Sequence, residues 1–187
     1  MPLDERRSVP ARLLRDPGPD PAQLARMLAS AVRVPDHGRR VPFRFLRIQG
    51  DARSALGEVL AERRKELEPG VSDALLDKDR GRFTHAPLVI AVVAVLGPDD
   101  KIPEAERFAS ACCVCFALLQ AAQSLGFGAQ WLTGWAAHDA GIRGELGLSG
   151  EERIAGFIHV GTPMQEAPER ERPDPAALLS DWRPGNP

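Results

Sequence analysis

The stretch PEAERFASACCVCFALLQAAQSLGFGAQWLTGW, from Pro103 to Trp135, decides the fold of this chain. Between Glu104 and Leu125 it contains good helix formers and neither Gly nor Pro, which predicts one long helix. The middle of this helix, Ala109 to Leu119, is apolar almost all round, and a helix of that kind is buried. Gly126 is expected to end it, because glycine readily adopts the left-handed backbone that often closes a helix.

The polar residues of this stretch argue against a membrane span. A span needs about 20 nearly uninterrupted apolar residues, whereas charged residues open the helix at Glu104 to Arg107 and polar ones interrupt it at Gln120 to Ser124. The helix is therefore expected to be the spine of the domain or to lie in a subunit interface. Phe127 to Thr133 has the pattern of a buried strand, and its glycine-rich entry and nearby tryptophans are candidate ligand surface.

The composition is that of a single globular domain spanning residues 1–187. Apolar residues make up 43% of the chain and charged residues 27%, and the net charge of −2 gives no general attraction to nucleic acid or to acidic membranes. The three cysteines lie together in the apolar helix without a second Cys or His cluster, so neither a metal site nor a disulfide framework is expected. An N-terminus without the apolar core of a signal peptide then favours the cytoplasm.

Leu88 to Leu96 is apolar and β-branched without alternation, which predicts a central strand covered on both faces. Asp20, Pro21 and Gln23 form a capping-box pattern that begins the first helix. The charged segment Glu68 to Arg82 has no strong core signal and is a candidate mobile lid. The other predicted elements are strands at Phe43–Gln49 and Arg153–Val160, helices at Ala52–Leu67 (capped by Asp51), Ser72–Arg80 and Asp139–Leu146, and an extended tail over about residues 164–187 anchored by Leu178, Leu179 and Trp182.

Two polar segments are candidates for function. Arg6, Arg7 and Ser8 offer forked guanidinium donors and a hydroxyl, which suit phosphate oxygens; as a charge run they could equally solvate a surface. The loop between Arg33 and Phe45 holds His37 between a helix and a strand, where loops often carry function. A lone histidine is nevertheless more often a surface or hydrogen-bonded residue.

Standard catalytic motifs are missing from the sequence, which has no GxGxxG after a strand, no GK[ST] phosphate loop, no HExxH and no GxSxG. His85, His138 and His159 are isolated and are expected to be structural, and no pair of carboxylates stands out. No side chain is therefore predicted to be catalytic, and an enzymatic activity would need a cofactor to carry the chemistry.

Four segments taken together resemble the nitroreductase family, and in particular its small YdjA-like branch. They are RRSV at Arg6–Val9, PDHGRRVPFRF at Pro35–Phe45, LGFGAQW at Leu125–Trp131 and GFIHVGTP at Gly156–Pro163. The resemblance implies an α+β, nitroreductase-like fold with a central mixed sheet flanked by helices. It also implies a homodimer with a buried central helix that binds FMN at the subunit interface.

The same resemblance implies which residues hold the flavin. They are Arg6, Arg7 and Ser8 at the phosphate and ribityl end, Arg33 and His37 from the adjoining helix end and loop, and Trp131, Leu132 and Thr133 along the cofactor. Trp131, Leu132 and Thr133 stand where the family motif has Trp-Arg-Ser, so Leu132 replaces an arginine and one cationic side chain is absent. Gly38, which follows His37, would make the loop looser. Ala121 to Gly126 matches a segment associated with NADPH in the family.

The implied activity is that of an FMN-dependent oxidoreductase. NAD(P)H would give a hydride to the flavin, and a nitroaromatic or quinone-like acceptor would then take the electrons by a ping-pong route. Two alternatives stay open: an FMN-binding carrier or sensor with little turnover, favoured by the missing arginine at Leu132, and a dimeric interaction protein that has lost the cofactor. The physiological acceptor and the choice between NADH and NADPH are also left open.

Overall fold

A sheet of five strands forms the centre of the protein in the computed structural model, which describes residues 4–184. The strands are β1 (Leu14–Arg15), β2 (Phe43–Gln49), β3 (Leu88–Val95), β4 (Gly128–Leu132) and β5 (Glu152–Pro163). β3 lies between β2 and β5, and the other edge of β5 pairs with both β4 and β1. The beginning of β4 therefore lies beside the end of β5, where Gly128 pairs with Gly161.

All four strand pairings in the described residues are antiparallel, so the expectation of a mixed sheet is wrong for this chain. The connection between β2 and β3 shows the reason. Two helices that pack on each other, α2 (Asp51–Leu67) and α3 (Asp73–Arg80), return the chain to the end of the sheet that β2 had reached, where Gln49 pairs with Leu88. A strand that starts beside the end of its neighbour runs antiparallel to it.

The predicted long helix is α4, Glu104–Ser124, and it stops just before Gly126, whose φ is +83°. Together with α1 (Pro21–Ala31) it covers one face of the sheet, while α2 and α5 (Ala140–Glu145) cover the other. Within residues 4–184, α4 is the one helix long and apolar enough to cross a membrane, and half of its most apolar window is buried inside the protein. That burial is what a core helix requires.

β3 is buried on both faces, as its unbroken apolar sequence predicts. Leu88, Ile90 and Val92 pack on the side of α4, whereas Val89 and Ala91 pack on the side of α2. Successive side chains of a strand point to opposite faces, so a strand covered twice has no position for a polar residue. This strand fixes the two-layered arrangement of the helices around it.

The two predicted helix caps have different outcomes. The capping box of α1 is confirmed, because Asp20 Oδ1 accepts from Gln23 N at 2.7 Å and Gln23 Oε1 accepts from Asp20 N at 2.9 Å. The cap predicted at Asp51 is wrong, since Asp51 is the first residue of α2 and Gly50 stands at the cap. Gly50 has a φ of +60°, a left-handed conformation that favours glycine over an aspartate cap.

The C-terminal tail does not dock in the predicted way. Leu178, Leu179 and Trp182 are 73%, 79% and 83% exposed, so their expected anchoring on the chain's own surface is wrong. A short helix, α6 (Pro175–Leu178), contains Leu178 and ends before Leu179 and Trp182. The tail is instead held upstream, where Ala167 is buried in a small cluster with Val9 and Leu14, and residues 185–187 of the predicted tail lie outside the described residues.

His159 on β5 is a buried histidine without hydrogen bonds in the described structure. It stacks on Phe83, with 5.8 Å between ring centroids, and neither ring nitrogen has a partner. Burial first, and then the charges of Arg82 and His85, lower its pKa to about 4. An unfolded histidine binds a proton below about pH 6.5, so acid favours the unfolded chain between that pH and about 4.

His159→Phe is expected to make the fold less sensitive to acid. Through this histidine the wild-type protein should lose roughly 2 kcal/mol of unfolding free energy between pH 7 and pH 5, at about 1.4 kcal/mol per pKa unit, and the variant should keep most of it. Urea unfolding at pH 7, 6 and 5 measures the difference, with the exposed His138→Phe as control. Equal pH dependence of the wild type and His159→Phe would contradict this account.

Candidate functional site

The N-terminal segment lies along β4. Val9 N donates to Ala129 O at 3.0 Å, and Ala11 N donates to Gln130 Oε1 at 2.6 Å. Gly128 permits this close approach, because a Cβ there would stand 2.8 Å from Leu14 Cδ2. The predicted phosphate-binding residues just before Val9 are thus brought to the strand that carries the predicted Trp-Leu-Thr segment.

The three predicted phosphate-binding residues are divided between two environments. Arg6 Nη1 donates to Ser8 Oγ at 3.2 Å. Arg7 instead turns to the tail, where Nε donates to Glu169 and Nη1 donates to Glu166, both at 2.8 Å. The hydrogen bond from Arg7 is the main cause that lowers the pKa of Glu169 to about 2. Arg6 and Ser8 therefore stay together, while the charge of Arg7 is matched by tail carboxylates.

Trp131 and Leu132 project to opposite faces of the sheet. The indole of Trp131 donates to Ala155 O at 3.1 Å and lies directly over Gly156, where a Cβ would collide with it. Trp131 therefore packs with the core below α4. Leu132 points the other way and, like Thr133 after it, is only partly buried.

Leu132 lines a cavity of about 300 Å³ whose charged lining is entirely basic. The lining residues are Pro10, Ala11, Arg12, Lys78, Arg82, His85, Gln130 and Leu132. Of these residues only Leu132 is a predicted cofactor residue. The available signal was the density of basic residues between Lys78 and His85, directly before the central strand and partly inside the candidate lid Glu68 to Arg82.

A buried carboxylate fixes one wall of this cavity. Asp79 is fully buried, and its oxygens accept from Arg64 Nε at 2.9 Å, Trp135 Nε1 at 3.1 Å and Arg82 Nη2 at 3.4 Å. The Arg64 guanidinium also lies over the Trp135 ring, 4.4 Å from its centroid. A buried charge is tolerated when it is paired and hydrogen-bonded, and these bonds join α2, α3 and the turn after β4. They argue against a lid in this segment.

Arg82 lies against the turn that follows Thr133. Gly134 has a φ of +66°, and a Cβ built on it would stand 2.7 Å from Arg82 Nη1. The guanidinium is 21% exposed, and its Nε is buried without a hydrogen-bond partner among the described residues. Arg82 thus combines a fixed position beside the predicted cofactor strand with donor capacity that the chain leaves unused.

The loop that carries His37 lies elsewhere and is well fixed. His37 Nδ1 is 2.7 Å from Glu106 Oε2 of α4. Asp36 accepts from the backbone N atoms of Arg40 and Val41 at 3.0 and 2.8 Å. Gly38 adopts a φ of +70°, so the glycine serves a left-handed turn. This turn is hydrogen-bonded to Asp36, whereas a looser loop was expected from Gly38.

The predicted cofactor residues form two groups at opposite ends of α4. His37 lies near its beginning, at Glu106, and Arg33 is exposed four residues before His37, whereas Gln123 near the end of α4 donates to Glu5 O, beside Arg6. Gln123 lies seventeen positions after Glu106 in the helix, which is about 25 Å at 1.5 Å per residue. One chain therefore does not bring the two groups together.

The chain belongs to the nitroreductase family, because residues 3–162 match that family, described as "Nitroreductase family". The match confirms the resemblance seen in the four sequence segments. Over 179 residues the chain is 34% identical to an Escherichia coli K12 protein named "Putative NAD(P)H nitroreductase YdjA", with 95% of this chain and 96% of that protein covered. This similarity supports the YdjA-like branch.

Solved structures confirm the nitroreductase-like fold. The nitroreductase-like family protein of Bacillus cereus is similar, with a TM-score of 0.80 and 25% identity over 98% of this chain and 95% of that one. A nitroreductase with bound FMN from Bacteroides fragilis has a TM-score of 0.69 and 20% identity over 97% of each chain. At that identity the second likeness concerns the fold alone.

Proposed function

We propose that the protein is an FMN-dependent oxidoreductase that takes a hydride from NAD(P)H and passes electrons to a small nitroaromatic or quinone-like acceptor. Family membership supports the reaction class, the name of the Escherichia coli relative refers to NAD(P)H, and the Bacteroides fragilis structure holds FMN. The observation in this chain that carries the proposal is the basic cavity beside β4, which suits an anionic cofactor.

The residues of the cavity fit a phosphorylated flavin. FMN, when bound, supplies a ring system that accepts a hydride, and it carries a phosphate. Arg82 contributes a guanidinium to the cavity lining, and Arg6 and Ser8, which lie outside that lining on the segment before Val9, offer a guanidinium and a hydroxyl to phosphate oxygens. The protein's part is to bind and orient the ring and to exclude water, while the cofactor carries the redox chemistry.

The flavin site is further proposed to be shared by two copies of the chain. α4 leaves an exposed stripe of Ala109, Cys113 and Phe116, spaced four and three residues apart on one face of the helix. Two α4 helices packed antiparallel about a twofold axis would cover this stripe. The same arrangement would bring the segment with Arg33 and His37 of one copy toward Arg6 of the other, whereas within one chain His37 and Arg6 lie at opposite ends of α4.

An alternative function is that of an FMN-binding carrier or sensor with little turnover. Leu132 favours it, because the strand lacks a cation beside the cofactor that would stabilise the reduced ring. A cytoplasmic location is proposed for either function, supported by three cysteines that are free thiols in the structure.

The first test is a visible absorption spectrum of the purified protein with FMN, before and after anaerobic addition of NADPH or NADH. The oxidoreductase should bind flavin and bleach with at least one reductant. Bound flavin that stays yellow with both would support the carrier, and the absence of flavin binding would refute both functions.

Arg7 and its tail partners allow a paired prediction on FMN affinity. Arg7→Ala should weaken FMN binding roughly tenfold, because it removes a charge-assisted hydrogen-bond donor. Glu166→Gln combined with Glu169→Gln should tighten it, because these carboxylates compete with phosphate for Arg7. Flavin fluorescence titration measures both, and unchanged affinity in both variants would remove Arg7 from the site.

Phe116→Asp is expected to convert the proposed dimer into a monomer, because it puts a charge into the α4 stripe that the second copy would cover. Phe116 is 41% exposed in one chain. FMN affinity should fall at least tenfold, because Arg33 and His37 of the second copy are lost. Light scattering after size exclusion gives the mass, and Leu67→Asp, at a 50% exposed position on α2, is the control. A monomeric wild type, or a Phe116→Asp monomer with full FMN affinity, would contradict the shared site.

A further inference from the structure

The departure at Leu132 leaves β4 without a cation at a predicted cofactor position, and the structure places a guanidinium beside it. We infer that Arg82 supplies, from the turn between α3 and β3, the positive charge toward an anionic group of bound FMN that β4 lacks at Leu132. This inference rests on the proposed function and assigns a binding residue to it.

The position of Arg82 carries the first step. Arg82 and Leu132 line the same cavity, although 50 positions separate them in the chain. Nη1 of Arg82 lies against Gly134, two residues after Leu132, so closely that a Cβ there would be 2.7 Å away. The charge is therefore on the turn that continues the predicted cofactor strand.

The charge of Arg82 is only partly compensated within the protein. Asp79 is its acidic partner, yet Asp79 is held more closely by Arg64 and Trp135, at 2.9 and 3.1 Å, than by Arg82, at 3.4 Å. Buried Nε of Arg82 has no partner in the described structure. A buried donor without a partner is rare in folded proteins, so the bond to Asp79 leaves part of the hydrogen-bonding capacity of this guanidinium unmatched among the described residues.

The neighbouring basic groups differ from Arg82 in burial. Arg12, Lys78 and His85 line the same cavity but are exposed, so water screens their charges. The buried His159 is neutral at pH 7, because burial lowers its pKa to about 4, and it adds no charge beneath the cavity. The Arg82 side chain is 21% exposed, and a largely buried charge acts more strongly on a nearby anion than an exposed charge does.

Two anionic groups of the cofactor could face Arg82: the phosphate, and the ring system, which gains negative charge on reduction. The variants Arg82→Ala, Arg82→Lys and the double variant Arg82→Ala/Leu132→Arg test the inference. Arg26→Ala, an exposed arginine on α1, is the matched control. Each protein is titrated with FMN and with riboflavin, which lacks the phosphate, and the midpoint potential of its bound FMN is measured.

If the reduced ring faces Arg82, Arg82→Ala should weaken reduced FMN at least tenfold more than oxidised FMN, a fall of roughly 30 mV in the two-electron midpoint potential. If the phosphate faces it, Arg82→Ala should weaken FMN at least tenfold and leave riboflavin affinity unchanged. In both cases Arg82→Lys should lose less affinity or potential than Arg82→Ala, because lysine keeps the positive charge. The double variant should recover most of what Arg82→Ala loses, and Arg26→Ala should match the wild type.

A wild-type potential and a wild-type FMN affinity in Arg82→Ala would overturn the inference, and so would losses that Leu132→Arg does not repair. Urea unfolding checks that each variant is folded. Should Arg82→Ala fail to fold, Arg82→Gln keeps a donor toward Asp79 without the charge and gives the same comparison. A wild-type protein that binds no FMN would refute the proposed function and this inference together, whereas the outcomes above concern Arg82 alone.

Discussion

The burial of β3 on both faces is the constraint on which the rest of the structure depends. An apolar strand without alternation has to be covered twice, and the chain meets that requirement with α4 and α1 on one side and α2 and α5 on the other. α4 covers its face of the sheet and still exposes Phe116. The same apolar helix thus serves as the core of one chain and as the surface proposed to meet a second copy.

The buried Asp79 sets the second constraint, because it is a carboxylate without exposure to water and has to be hydrogen-bonded by its neighbours. A buried ion pair is weak evidence for stability, since desolvation offsets much of the attraction, but its geometry restricts where its partners can lie. Here the partners Arg64, Trp135 and Arg82 belong to segments far apart in the sequence. The network therefore positions α3 as a wall of the cavity, although α3 has little apolar surface of its own.

Much of the fold could be predicted from local pattern, and the errors have physical reasons. β2 was placed correctly because strand periodicity is local, and α4 to within one residue because helix formers and Gly126 delimit it. Strand direction, the packing of α3 and the basic cavity depend on contacts between distant segments, which one sequence does not display. The tail was misjudged because Leu178 and Trp182 are apolar, and apolarity does not say which surface, or which copy of the chain, receives a residue.

The positive charge at the candidate site is local, because the chain as a whole carries a net charge of −2. Arg7, the most obvious cation of the N-terminal motif, is matched by tail carboxylates, whereas Arg82 lines a basic cavity and its buried Nε has no hydrogen-bond partner within residues 4–184. A positive potential at a cofactor does not depend on which strand or turn supplies it, only on distance and burial. A leucine in the family's strand motif is then compatible with flavin chemistry when a neighbouring turn carries the charge, which is why a motif read along the chain understates what the fold assembles.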